Sequence, residues 1–128
     1  MQSFKKIAVY CGSSSGNDPT YHQHAYEMGK TLAEMGIELI YGGGGIGLMK
    51  SVADGVIKNG GLVTGVITHQ LKNLELAHPE IQRTHVTESM HQRKHLMASL
   101  ADGFVALPGG WGTLEELAEV TTWTQLNP

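Results

Sequence analysis

Glu38-Leu39-Ile40-Tyr41-Gly42-Gly43-Gly44-Gly45-Ile46-Gly47-Leu48 reads as a strand that breaks into glycines and resumes as a helix. The first four residues are extended and mostly apolar, and the glycines free the backbone to turn. Leu48, Val52 and Val56 then recur at steps of four, one face of a helix that closes near Gly60-Gly61. Upstream, Lys6-Ile7-Ala8-Val9-Tyr10 is a strand that ends in the Cys11–Gly16 loop, and Asp18-Pro19 is a helix start. Tyr21, Ala25, Met28, Leu32 and Met35 mark that helix's apolar face, and Gly36 sits where a C-terminal glycine belongs. Downstream, Leu62–Ile67 is a third strand, Thr68–Glu80 a polar surface loop with at most a helical turn, and Gln82–Val86 a weaker strand. Ser89–Ala101 reads as helix and Gly103–Leu107 as strand. Pro108-Gly109-Gly110-Trp111-Gly112 is a sharp turn, and Thr113–Gln125 is again helical.

Strands that alternate with helices imply βαβ units, hence an α/β fold with a parallel sheet flanked by helices. The expectation is one nucleotide-binding, Rossmann-like domain over residues 1–128. Loops that follow parallel strands emerge together at the carboxyl edge, where open α/β sheets bind ligands. The Cys11–Gly16, Gly42–Gly47 and Pro108–Gly112 loops and the start of the Ser89 helix should therefore share one rim. Composition removes several alternatives. Nine basic against twelve acidic side chains give −3, which does not point to nucleic acid. A single cysteine excludes an intramolecular disulfide and fits a reducing, cytoplasmic setting. No apolar run reaches the ~20 residues of a membrane span, and the N-terminus leads directly into a strand instead of a signal sequence. Seventeen glycines in 128 residues is about twice the usual ~7%, and they cluster after strands.

Two glycine clusters carry chemistry. Gly42-x-Gly44-x-x-Gly47 matches the dinucleotide fingerprint in letters, but it follows the second strand and the next strand ends without an acid to hold a ribose. Its glycines still let backbone amides approach a phosphate. Pro108-Gly109-Gly110-Trp111-Gly112-Thr113-Leu114-Glu115-Glu116 is more specific: a nest of N–H groups, with the Thr113 hydroxyl at a helix start, suits a monophosphate. A purely structural strand-to-helix turn would use the same residues. Glu116 shares a helix face with Thr113, Val120 and Trp123, which sets it beside that turn, whereas Glu115 falls on the face of Glu119. Arg93 and Lys94 place two cations in the first turns of a helix, against its macrodipole, which costs stability unless a phosphate or Glu116 compensates; a solvated basic face is the ordinary alternative, and the shared rim favours the anion. Arg93 offers a planar fork and Lys94 a point charge. His91 and His95 lack a third ligand at recognisable spacing, so no metal is expected. Cys11 has no base nearby in sequence and is expected to pack or to line the pocket.

Pro108-Gly109-Gly110-x-Gly112-Thr113-x-x-Glu116, preceded by Met90-His91-Gln92-Arg93-Lys94, resembles the LOG family of cytokinin riboside 5′-monophosphate phosphoribohydrolases, many of which carry an older lysine decarboxylase label. Val9-Tyr10-Cys11-Gly12-Ser13-Ser14 and Tyr41-Gly42-Gly43-Gly44-x-x-Gly47-Leu48-Met49 are also similar to family positions. The resemblance implies a Rossmann-like homodimer or larger assembly. It implies hydrolysis of the N-glycosidic bond of AMP or a cytokinin ribotide, with no organic cofactor. It makes Arg93 and Glu116 the catalytic pair and assigns phosphate to Gly109, Gly110, Gly112 and Thr113. Met90, Lys94, Gly43, Gly44 and Ser13 would line the rest of the nucleotide site. Family members continue past the last helix, so the C-terminal part of the family fold is expected to be missing here. The rival expectation is a non-catalytic carrier that binds a nucleotide or pterin-type cofactor and releases it unchanged.

Overall fold

A computed structural model of the chain describes residues 5–11, 20–73 and 77–107. In chain order the elements are β1 (Lys6–Tyr10), α1 (Thr20–Glu34), β2 (Glu38–Tyr41), α2 (Gly47–Lys58), β3 (Val63–Thr68), α3 (His69–Asn73), β4 (Arg83–Thr87), α4 (Met90–Leu100) and β5 (Gly103–Ala106). The strands form one sheet in the order β4-β3-β2-β1-β5. Every pairing is parallel, with Ile7 opposite Leu39 and Gly103, Ile40 opposite Thr64, and Val66 opposite His85.

Side chains alternate across the sheet because a strand's period is two. Val9, Leu39, Tyr41 and Val63 face one way and pack against Ala25 and Leu32 of α1 and Leu48, Val52 and Val56 of α2. Ala8, Tyr10, Ile40 and Val66 face the other way and meet Met97 of α4. A sheet covered on both faces explains why β2 and β3 are buried along their whole length.

The stripe expected on α1 is only half right. Ala25 and Leu32 are buried, but Tyr21 and Met35 are exposed, and the third buried position is Gly29. The reason is a backbone contact. A Cβ on Gly29 would lie 2.1 Å from the Val52 carbonyl oxygen, and one on Gly55 would lie 2.2 Å from that of Tyr26. The two helices therefore cross at paired glycines, which a search for large apolar residues passes over. Both helices end alike. Ile37 N–H bonds the Leu32 carbonyl and Gly61 N–H that of Val56, both at 2.9 Å, with Gly36 and Gly60 at φ 71° and 79°. These are Schellman closures, which glycine enters without Cβ strain.

Among the described residues the element boundaries expected from the sequence otherwise shift by a residue or so, while the Asp18-Pro19 helix start, the Pro108–Gly112 turn and the Thr113–Gln125 helix lie outside the described residues. The Thr68–Glu80 stretch carries the helical turn allowed for it, but it does not lie wholly on the surface. Residues 69–73 form α3, and His78 is buried at 5% exposure.

Candidate active site

The chain order and strand order together put β1 between β2 and β5, so the order reverses at β1/β5, and in such sheets ligands bind outside the carboxyl ends of the strands at that reversal. β1 ends there at Tyr10, followed by Cys11, and β5 ends at Ala106. Cys11 is buried and packs in the α1–α2 core. The glycine segment after β2 and the first turns of α4 reach the same rim, as expected from the topology.

Ser89 caps α4. Its hydroxyl accepts the Gln92 N–H at 3.1 Å, and the Gln92 side chain reaches back to accept the Glu88 N–H at 2.9 Å. This is a close relative of the capping box, and it fixes where the helix begins. Arg93 then lies one turn in, and its side chain runs under the rim instead of out to water. It is 3% exposed. Its Nε donates to the Val66 carbonyl at 2.8 Å and its Nη2 to the Gly42 carbonyl at 3.0 Å, while Nη1 stands 4.0 Å from the Met90 sulfur. The fork thus spans the ends of β3 and β2. A solvated basic face is excluded for Arg93. Lys94 beside it is half-buried, and Met90 is exposed at the mouth of the helix.

The need for glycine after β2 follows from this packing. A Cβ on Gly42 would fall 1.9 Å from Arg93 Nη2, and one on Gly44 would fall 2.6 Å from the Met49 sulfur. Gly43 has φ 76° and its carbonyl accepts the His78 N–H at 2.9 Å. The Gly44 carbonyl accepts the Tyr41 hydroxyl at 3.0 Å. Gly43 and Gly44 are both buried at the rim. Gly44 also forms an antiparallel bridge to Ala77. Three successive carbonyls are therefore each held by a different partner.

Those partners include side chains that sequence reasoning did not single out. His78 Nδ1 accepts the Glu80 N–H at 3.0 Å, so the ring proton sits on Nε2 and is donated to Asp54 Oδ1 at 2.8 Å. The other Asp54 oxygen takes Lys50 Nζ at 2.5 Å. Burial pushes the Asp54 carboxyl up, but the Lys50 and His78 hydrogen bonds outweigh it and hold the group below the usual carboxylate value. Burial, reinforced by the negative charge of Asp54, raises the Tyr41 phenol far above the ordinary tyrosine value, so it stays a donor. The only hint in the sequence was a histidine and a proline closing a polar loop.

At the opposite, amino edge of the sheet lies a cavity of about 430 Å³ bordered by Lys5, Lys6, Glu38 and Arg83. There Glu38 accepts the Thr64 hydroxyl at 3.2 Å and faces Lys6 and Arg83 at 3.8 Å. Among the described residues no three His, Cys, Asp or Glu side chains stand together as a metal site. Of the site residues expected from sequence, Arg93, Lys94, Met90, Gly43 and Gly44 are brought to one rim. Ser13, Gly109, Gly110, Gly112, Thr113 and Glu116 lie outside the described residues.

Residues 49–128 match the protein family described as possible lysine decarboxylase. Over 123 residues, 96% of this chain, the sequence is 50% identical to cytokinin riboside 5′-monophosphate phosphoribohydrolase LOG7 of Arabidopsis thaliana and 50% identical to LOG of Oryza sativa subsp. japonica. These matches cover 57% and 51% of those proteins, so the chain spans little more than half the length of the curated relatives it matches. The molybdenum cofactor binding protein of Rippkaea orientalis superposes with a TM-score of 0.81 at 27% identity, over 97% of this chain and 74% of that one. The molybdenum cofactor carrier protein of Chlamydomonas reinhardtii shares the fold, with a TM-score of 0.83 at 24% identity over 95% of this chain and 73% of its own. With a parallel sheet, a glycine segment closed over a buried arginine and this match across most of its length, the chain belongs to the LOG family, the family described as possible lysine decarboxylase.

Proposed function

We propose that the protein hydrolyses the N-glycosidic bond of an adenine-type nucleoside 5′-monophosphate, AMP or a cytokinin ribotide, releasing free base and ribose 5-phosphate. The observation that carries the reading is Arg93: a guanidinium 3% exposed at the ligand-binding edge, fixed by two main-chain carbonyls. The activity for which relatives at about 50% identity are named supports it.

Cleaving a ribosyl C–N bond develops positive charge on the sugar, as in glycoside hydrolysis. A carboxylate stabilises that cation more than it stabilises the neutral ground state, which is the differential interaction catalysis requires. Glu116 supplies the carboxylate and orients the attacking water, and Arg93 keeps it ionised and in place. Gly109, Gly110, Gly112 and Thr113 hold the 5′-phosphate, which fixes the ribose relative to Glu116. Met90, Lys94, Gly43, Gly44 and Ser13 line the remaining nucleotide site. In this reading the protein works in the cytoplasm as a homodimer or larger assembly, with residues 1–128 as one nucleotide-binding domain.

The test is Glu116→Gln. Base release should vanish while AMP binding, followed by calorimetry, persists; substantial remaining turnover rejects Glu116 as the carboxylate. A carrier of a nucleotide or pterin-type cofactor is the second reading, favoured by the likeness to the Rippkaea orientalis molybdenum cofactor binding protein. Tight binding of AMP with no base released would favour it.

A further inference from the structure

We infer that His78 is a positioning residue for the rim, acting through the backbone of Gly42–Gly44 on Arg93. Its consequence for catalysis rests on the reading of Arg93 given above, whereas its structural basis does not. The carbonyl that holds Arg93 Nη2 belongs to the peptide joining Gly42 to Gly43. Glycine backbones have little intrinsic preference, so the orientation of that peptide must be set by hydrogen bonds from outside the segment. Two are present on its C-terminal side: His78 N–H to the Gly43 carbonyl and Tyr41 hydroxyl to the Gly44 carbonyl.

His78 can hold Gly43 only if its own segment is held. The ring does this, with its side chain 2% exposed. Nε2–H ties it to Asp54 on α2, and Nδ1 receives the Glu80 N–H from its own segment. Lys50, one turn earlier on α2, pins the Asp54 carboxylate from the other side. Gly45 completes the fit, since a Cβ there would stand 3.0 Å from both the Ala77 carbonyl oxygen and the His78 Cα. The chain of contacts runs from α2 through the imidazole to Gly43, and from Gly42 to the guanidinium. The His78 side chain is buried behind the glycine segment, so His78 acts through Arg93 as a positioning residue and is not itself catalytic.

The test uses protein with 15N-labelled arginine and three variants. In His78→Gln the side-chain amide can still donate to Asp54 while the Nδ1 acceptor is lost. Asp54→Asn weakens the anchor without touching the loop, and His78→Ala removes it. Solvent exchange of the Arg93 Nη2–H, the group held by the Gly42 carbonyl, read by NMR, should quicken by at least about tenfold in His78→Ala, the size expected from loosening one hydrogen bond to a charged group. Asp54→Asn and His78→Gln should fall between that variant and wild type. Base release from AMP should follow the same ranking in kcat, with KM changing by less than about threefold, since the effect is on placement of the arginine and not on gross binding. Arg93 exchange unchanged in the folded variants overturns the inference, as does quickening no greater than that of backbone amides in α1. Should His78→Ala not fold, Asp54→Asn and His78→Gln decide it alone. Because the exchange readout needs no turnover, a wild type that releases no base would count against the proposed activity, while the role of His78 would still be decided by NMR.

Discussion

Gly42 and Arg93 form one unit in which a missing side chain and a buried cation depend on each other. The guanidinium occupies the space a Cβ would take, 1.9 Å from where that atom would sit. Gly42→Ala should therefore displace Arg93 without abolishing the fold, and Arg93→Lys should lose the fork while keeping the charge. Hydrogen bonds to charged groups contribute ~1.5–3 kcal/mol, so each variant should lower kcat/KM for base release by roughly 10–100-fold. Steady-state kinetics beside a circular dichroism spectrum checks both halves. Tyr41 gives a second test. Its phenol is far harder to ionise in the fold than in the unfolded chain, where its pKa is about 10. The stability it contributes is present below that value and is lost as pH rises beyond it. Tyr41→Phe should cost about 1 kcal/mol at pH 7 for the lost bond to Gly44 and should flatten the decline above pH 10, both measurable by urea unfolding.

At the scale of elements, the α1–α2 crossing sets two known effects against each other. Alanine is favoured over glycine inside a helix by about 1 kcal/mol, which would make Gly29→Ala and Gly55→Ala stabilising. Contact decides otherwise, because a Cβ would meet a backbone oxygen at 2.1 or 2.2 Å and neither helix can yield without parting from the other. Overpacking of this kind costs ~1–3 kcal/mol or more, so both variants should unfold at lower urea concentration than wild type. The same crossing shows what could be read in the sequence. Strands and helices were legible because apolar residues recur at periods of two and 3.6, and Gly36 and Gly60 marked helix ends by their position after the last periodic residue. Gly29 and Gly55 were not legible, since a glycine within a helical pattern says nothing about which backbone it admits. His78 was missed for a related reason. Its ring is buried by a contact with Asp54, 24 residues away, that no local pattern encodes.

At the scale of the molecule, the five parallel strands of the described residues deliver their carboxyl ends to one edge, where a glycine segment and a buried arginine meet. The convergence of the glycine segment with the Ser89 helix was legible from topology alone, because parallel strands leave their following loops no other place to go. What the pattern of letters did not convey is that Arg93 would be buried and tied to main-chain carbonyls of β3 and of the glycine segment after β2. The motif from Pro108 to Glu116 lies outside the described residues, so its part in the site is tested best by chemistry. If the 5′-phosphate is the handle that fixes the ribose, a nucleoside without it loses the alignment that makes cleavage intramolecular in effect. The most direct measurement is chromatographic quantification of adenine released from AMP and, in parallel, from adenosine by the purified protein. AMP should yield adenine and ribose 5-phosphate in equal amounts, with adenosine cleaved at least about a hundredfold more slowly. Recovery of intact AMP, or equal cleavage of the two compounds, would contradict the account.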